Sequence, residues 1–169
     1  MYRPAADQLG LVVGGSRKVL LNSNGVNVQN GALGVGASAN ATDGRIDASN
    51  DIVAYSSDKR LKENIKPLDN ALDKIEQLTG FTYNWNDKAV EVAGFNKDES
   101  LVGVFAQDVE KVLPEAVKPA PFDADENGKS KSGEDYITVQ YEKIVPLLIE
   151  AVKDLSGQVK DLKEQLKNK

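Results

Sequence analysis

The sequence of 169 residues contains neither cysteine nor histidine, and aromatic residues make up only 6% of it. Without cysteine the chain forms no disulfide, thiolate nucleophile, zinc knuckle or iron–sulfur cluster. Without histidine it cannot form a Ser-His-Asp triad, a Cys-His pair or a histidine-rich metal site. Any covalent catalysis must therefore use a serine or threonine activated by a group other than imidazole, for which lysine is the usual substitute.

Long apolar runs and basic clusters are also missing. No apolar stretch approaches the ~20 residues that span a bilayer, and no signal-peptide segment follows the first residues. The net charge is −5, and every group of basic residues is interleaved with acidic ones, so the basic face that nucleic acid requires is absent. No glycine loop for phosphate binding is present. We expect no nucleic-acid partner, membrane association or cofactor, and we expect the chain to be the end of a longer one.

The density of charge divides the sequence near residue 56. Residues 1–56 carry 8 charged side chains, whereas residues 57–169 carry 39. The first part is rich in small polar residues, with short apolar alternations and the turn pair Asn24-Gly25. Because strands this short cannot form a core alone, we predict that residues 1–56 are the end of a β-structured fibre that intertwines with other copies as a trimer. A flexible linker is the alternative.

The charged part predicts an α+β domain over residues 57–140. A helix is expected from Asp69 to about Leu78, and a second helix at 106–113, stopped by Pro114. Strands are expected at 81–85, 101–105 and 136–139. The acidic segment 119–135 should project from this body as a loop or hairpin.

Residues 141–169 predict a coiled-coil helix, because apolar residues recur at alternating spacings of four and three. The apolar face is wider at its start, so that end should pack on the body, and Pro146 should kink it. Valine at a and leucine at d favours two strands, whereas the fibrous segment favours three. The predicted coiled-coil core consists of Val145, Leu148, Val152, Leu155, Val159, Leu162 and Leu166.

Several ordered motifs in the charged part resemble one known family. They are SDKRLKENI at residues 57–65, GVFAQDV at 103–109 and LPE at 113–115, followed by the apolar C-terminal helix. In this order they resemble the C-terminal intramolecular chaperone domain of phage tailspikes and tail fibres. This domain is of the endosialidase type and is a self-cleaving peptidase. The resemblance covers residues 57–169. A similar domain occurs in the myelin regulatory factor, a membrane-bound transcription factor, but the fibrous upstream segment fits the phage context better.

The resemblance implies a trimer that templates folding of the upstream fibre and then cuts itself off with a Ser-Lys dyad. The nucleophile corresponds to Ser57, the base to Lys62 and the scissile bond to Ser56-Ser57. The implied partners are a homotrimer and the upstream fibre chain, which is both folding client and cleavage substrate. The implied location is a virion tail-fibre precursor assembled in the host cytoplasm, with the chaperone part released. The alternative is a non-catalytic trimerisation or receptor-binding tip that stays attached.

The residue types and their spacing support a Ser57–Lys62 dyad only in part. A lysine can remove a hydroxyl proton only when neutral, which burial or neighbouring cations favour. Lys59 and Arg60 are such cations, and assembly of a trimer could supply burial, so we hypothesise that assembly gates cleavage. Residues five apart lie on opposite faces of a strand and roughly 140° apart on a helix, so a turn or a second chain must join them. In the alternative, Ser57 or Asp58 caps a turn and Lys62 is a solvated charge.

The acidic loop also fits the spacing of a calcium-binding loop, whose ligands would be Asp123, Asp125, Asn127 and Glu134. Its context differs from such loops: Pro119 and Pro121 forbid a normal preceding helix, and Ser130 stands where an apolar residue is usual. We therefore assign no metal to the chain and favour a solvated acidic turn, with calcium binding as the alternative.

Overall fold

The computed structural model describes residues 7–29, 31–39, 44–53, 56–125 and 127–168. The chain forms two compact units, the first up to Glu63 and the second from Asn64 onwards. This boundary lies a few residues after the predicted one between Ser56 and Ser57. Within the described ranges, no helix combines the length and the apolar character needed to cross a membrane.

The first unit contains two small sheets. Strands β1 (Leu9–Val13), β2 (Ser16–Asn22) and β3 (Gly25–Val28) form an antiparallel sheet in that order, and β4 (Leu33–Val35) pairs in parallel with β5 (Ile46–Ala48). The predicted turn at Asn24-Gly25 joins β2 to β3, and Gly25 has a φ of 125°. Glycine is favoured there because side chains with a Cβ rarely adopt positive φ.

These strands bury few of their side chains. Leu20 is 8% exposed and is the one buried large apolar residue among those described in the first unit. Val13, Val26 and Ile46 are 64–69% exposed. This agrees with the prediction that such strands form no core within a single chain. Their intertwining with other copies stays a prediction.

The second unit is mixed α and β and ends in a long helix, as predicted. Its elements are α1 (Ala71–Glu76), β6 (Phe81–Tyr83), α2 (Asp87–Ala93), β7 (Leu101–Gly103), α3 (Ala106–Val112), β8 (Val117–Pro119), β9 (Ile137–Val139) and α4 (Ile144–Lys167). Strand β6 pairs with β7 and β8 with β9, both antiparallel.

Some local predictions differ from the structure. Helix α1 begins after Asn70, not Asp69, and Asn70 makes no side-chain cap because its φ of 50° places it in the left-handed region. Helix α2 was not predicted, although the Asn86 side chain accepts a hydrogen bond from the Ala89 backbone NH. The segment expected to project forms a hairpin, in which the Ala120 NH donates to the Tyr136 carbonyl at 2.8 Å.

The core of the second unit is built where α1, α3 and α4 meet. Its buried residues include Ala71, Val109, Val112, Leu113, Ala116, Ile144, Leu147 and Ala151. Pro146 lies in the first turn of α4, directly after a 3-10 turn at Tyr141–Lys143. The NH groups of a first helical turn have no partner within the helix, so the missing NH of this proline leaves the helical hydrogen bonding intact.

Candidate functional site

The segment between the two predicted catalytic residues folds as a single 3-10 turn, Lys59–Leu61. The Leu61 NH donates to the Asp58 carbonyl at 3.1 Å, and the Lys62 NH donates to the Lys59 carbonyl at 3.2 Å. Asp58 precedes the turn in extended conformation, and its carboxylate accepts from the Arg60 NH at 2.9 Å. This is the geometry of a side-chain cap, which aspartate favours.

The turn brings Lys62 back to Ser57 within one chain. The Lys62 Nζ donates a hydrogen bond to the Ser57 Oγ at 2.8 Å. Both side chains are exposed in the single chain. The capping role that the sequence left as an alternative is present as well, since Asp58 caps the same turn. A cap and a serine–lysine contact therefore coexist in this segment.

Charge in the turn is locally compensated. The Arg60 guanidinium contacts both carboxylate oxygens of Asp58, with the Nη2 to Oδ2 distance at 2.7 Å and Nε to Oδ1 at 3.1 Å. The Arg60 side chain, and then its backbone NH, lower the pKa of Asp58, and the Asp58 carboxylate raises the pKa of Arg60. Of the two cations predicted beside Lys62, Arg60 thus has its charge paired within the turn.

The predicted scissile bond lies in exposed chain, because Ser56 and Ser57 are both exposed. Residues 54 and 55 lie outside the described ranges. Past the site, Asn64 has a φ of 52°, in the left-handed region that asparagine tolerates better than most residues.

The predicted coiled-coil residues form an apolar stripe along α4. Each is 41–73% exposed, although all are valine or leucine. The neighbouring, buried face of the helix carries Ile144, Leu147 and Ala151. Helix α4 therefore has two apolar faces, one inside the unit and one unpartnered. The stripe comprises Val145, Leu148, Val152, Leu155, Val159, Leu162 and Leu166.

Asp123, the first predicted calcium ligand, is 4% exposed, and its carboxylate is hydrogen-bonded to the loop around it. Its carboxylate accepts from the Ser130 hydroxyl at 2.6 Å, the Ser132 NH at 2.8 Å and the Tyr136 NH at 3.3 Å. These donors, the Ser130 hydroxyl foremost, lower the pKa of Asp123 from 3.8 to about 2. The carboxylate thus closes the loop of the β8–β9 hairpin.

The second predicted ligand, Asp125, is engaged in the same way. Its Oδ1 accepts from the NH groups of Asn127 and Lys129, each at 2.8 Å. Glu126 lies outside the described residues. In the described part of the chain, no three acidic, cysteine or histidine side chains are grouped so as to hold a metal ion.

The chain was compared with protein families and with individual proteins, and both kinds of comparison gave matches. A family model, the chaperone of endosialidase, matches residues 57–118. The long tail fiber protein Gp37 of Enterobacteria phage K3 is 42% identical over 114 residues, covering 68% of this chain and 8% of that protein. Gp37 of Enterobacteria phage M1 is 38% identical over 115 residues, covering 68% and 41% respectively.

A relative of another kind is the myelin gene regulatory factor-like A of Dictyostelium discoideum. It is 28% identical over 146 residues, covering 84% of this chain and 15% of that protein. The chain spans less than half the length of each of these three relatives. The matched family span begins at Ser57 and includes the motifs at 57–65 and 103–109, which confirms the resemblance that they indicated. Residues 57–118 of this chain therefore belong to the chaperone-of-endosialidase family.

Proposed function

We propose that this chain is an assembly chaperone of a phage tail fibre or tailspike, which trimerises, templates the folding of the upstream fibre and then releases itself by cleaving Ser56-Ser57. The family match and the tail-fibre relatives support the chaperone role. The observation that carries the cleavage is the 2.8 Å contact between Lys62 Nζ and Ser57 Oγ at the start of the family span. The proposed location is a tail-fibre precursor in the host cytoplasm.

The first chemical step is an acyl shift. Neutral Lys62 accepts the proton of the Ser57 hydroxyl, and the Ser57 Oγ attacks the carbonyl carbon of Ser56. The peptide C–N bond then breaks, and the proton passes from Lys62 to the amine nitrogen of Ser57. The product is an ester that joins the Ser56 carbonyl to the Ser57 Oγ.

The second step is hydrolysis of this ester. A water molecule attacks the carbonyl carbon of Ser56, the C–O bond to Ser57 breaks, and its oxygen regains a proton. One water is consumed in total, and the products are a carboxylate at Ser56 and a free amine at Ser57. The reaction occurs once per chain, because the scissile bond and the nucleophile belong to the same residue pair.

The need for a neutral lysine links this chemistry to assembly. Ser57 and Lys62 are exposed in the single chain, and water stabilises the charged form of a lysine, whereas burial disfavours it. We propose that trimer formation covers the dyad and so starts cleavage. The exposed stripe of α4 provides the surface for this self-association, since a long apolar seam is stable in water only against partners.

Intact mass spectrometry of purified protein tests the cleavage. We expect the unmodified chain to give fragments 1–56 and 57–169, and Ser57→Ala and Lys62→Ala to stay at full length. Removal of either member of such a pair is expected to slow the reaction by a factor of ~10² or more.

Two matched controls accompany these variants. Ser56→Ala removes the neighbouring hydroxyl but leaves the attacked carbonyl, so it should still cleave. Lys66→Ala removes a nearby exposed lysine and should also cleave. An unmodified chain that stays at full length within an assembled trimer would contradict autoproteolysis and favour a trimerisation or receptor-binding tip that remains attached.

A further inference from the structure

The five-residue separation of Ser57 and Lys62 makes their contact dependent on the backbone between them. In an extended strand the two Cα atoms would lie roughly 16 Å apart, and on a helix the side chains would point in different directions. The observed 2.8 Å contact exists because the 3-10 turn reverses the chain. Whatever holds this turn in place also holds the pair.

Asp58 is the residue that holds the turn. Its carbonyl accepts the first hydrogen bond of the turn, from the Leu61 NH, and its carboxylate accepts from the Arg60 NH. The same carboxylate binds the Arg60 guanidinium through both oxygens. Three attachments thus converge on one residue between the two members of the pair, one at its carbonyl and two at its carboxylate. The Lys62 Nζ itself donates to the Ser57 Oγ.

We infer that Asp58 is the positioning residue of the cleavage site, which acts through the turn to place Lys62 Nζ on Ser57 Oγ. This inference rests on the proposed self-cleavage and adds a residue to it. Asp58 takes no proton from the hydroxyl and does not form a bond to the scissile carbonyl. Its effect is to keep the base within hydrogen-bond reach of the nucleophile, where a misplacement of about 1 Å can cost ~10²-fold in rate.

Single-turnover cleavage of the full chain, followed by mass over a range of pH, tests this role. We expect Asp58→Ala to slow cleavage by roughly 10- to 100-fold. We expect Asp58→Asn to stay within about threefold of the unmodified chain, because asparagine caps a turn about as well as aspartate. Asp98→Asn, an exposed acid in the second unit, is the matched control and should not change the rate.

The pH dependence separates positioning from a direct charge effect. A positioning role lowers the rate in Asp58→Ala but leaves the pH midpoint of the rate unchanged in Asp58→Asn. A shifted midpoint in Asp58→Asn, or an unchanged rate in Asp58→Ala, would overturn the inference. Circular dichroism of each variant checks that the fold is kept, which is expected because the turn is exposed.

A failure of the proposed self-cleavage can be told apart from a failure of the positioning role of Asp58. If the unmodified chain never cleaves, self-cleavage is wrong, and the positioning of Lys62 is then measured directly on the intact chain. Nuclear Overhauser contacts between the ε-methylene of Lys62 and the β-methylene of Ser57 should be present in the unmodified chain and lost in Asp58→Ala. Their persistence in Asp58→Ala would show that Asp58 does not hold the pair.

Discussion

Two aspartates of this chain show how the donors around a carboxylate determine what it does. Asp58 is exposed and accepts from the backbone and side chain of one neighbour, Arg60. Asp123 is buried and accepts from Ser130 and two more distant backbone NH groups. In both cases the hydrogen bonds stabilise the anion and lower the pKa. The first carboxylate therefore fixes a turn of the chain, and the second fixes a long loop.

The lowered pKa of Asp123 predicts a pH dependence of stability. Because its pKa is about 2 in the folded chain, below the ordinary 3.8, its ionised form stabilises the fold above pH 3.8, and this stabilisation is lost as the pH falls towards 2. Asp123→Asn should lower the melting temperature at pH 7, and the difference from the unmodified chain should shrink between pH 4 and pH 2. Thermal unfolding followed by circular dichroism from pH 2 to pH 7 measures this.

Asp98→Asn serves as the comparison in the same experiment, because Asp98 is exposed and lies outside the hairpin loop. It should match the unmodified chain at pH 7. If the difference between Asp123→Asn and the unmodified chain were constant from pH 7 to pH 2, the ionised Asp123 would not be what stabilises the loop.

At the scale of elements, α4 combines two apolar faces, one buried in the second unit and one exposed. Leu147 is fully buried against the core of the second unit, whereas Leu155 is 49% exposed on the stripe. A helix with a single apolar face would pack on its own domain and leave only polar residues outside. The second face therefore favours self-association, and the heptad spacing favours a parallel coiled coil.

Truncating one leucine on each face distinguishes these roles. Leu147→Ala should reduce the free energy of unfolding by about 2–5 kcal/mol, because it leaves a cavity in the core. Leu155→Ala should leave the fold of the second unit intact but weaken association by ~1.5–3 kcal/mol per chain. Denaturant unfolding and sedimentation equilibrium measure the two quantities, and Leu155→Ala should also make the melting temperature more dependent on protein concentration.

An opposite result would contradict the assignment of faces. If Leu155→Ala destabilised the second unit as much as Leu147→Ala at low protein concentration, the stripe would belong to the core of a single chain. If Leu155→Ala left the association unchanged, the stripe would not be the surface through which copies meet.

The elements also differ in how well the sequence predicted them. Helix α3 and the strand at β7 follow directly from apolar patterning and from Pro114. Helix α2 was missed, although Asn86 at its start and Gly94 at its end, with a φ of 69°, are the usual helix-terminal signals. Its seven residues, none of them buried, make only about two turns, too short for apolar periodicity to reveal a helix.

At the scale of the whole molecule, the two units have very different cores. The second unit has a contiguous cluster of buried aliphatic side chains, while the described part of the first unit buries one large apolar residue, Leu20. Apolar strands that remain exposed gain stability by burial against other chains. This difference supports the proposal that residues 1–56 are the client and residues 57–169 the chaperone.

The proposed link between assembly and cleavage predicts the behaviour of a shortened chain. A chain ended after Asp154 keeps the buried face of α4 but lacks the four stripe residues from Leu155 onwards. We expect it to be monomeric and to cleave at least ~10-fold more slowly, because the dyad stays exposed and Lys62 stays charged. Light scattering and intact mass spectrometry on the same sample measure both properties.

A chain ended after Leu166 keeps every stripe residue and is the matched control. It should assemble and cleave like the full chain. Cleavage at the full rate by a monomeric chain ended after Asp154 would show that assembly does not gate the reaction.

The sequence by itself excluded chemistry that needs cysteine or histidine, and it determined the mixed class of fold and the heptad spacing of the last helix. Because cysteine and histidine are absent, a serine nucleophile with a lysine base is the simplest pair left for covalent catalysis. The apolar spacing along a helix depends only on residue order. These features are local, so they can be read without coordinates.

Only the folded structure decided how the site is put together. Whether Lys62 reaches Ser57 depends on the backbone angles of the intervening turn, which Asp58 and Arg60 fix by hydrogen bonds. The burial of Asp123 depends on donors up to thirteen residues away, such as the Tyr136 NH. A spacing in sequence does not specify a distance in space, because a hydrogen bond forms only where the whole chain places donor and acceptor together.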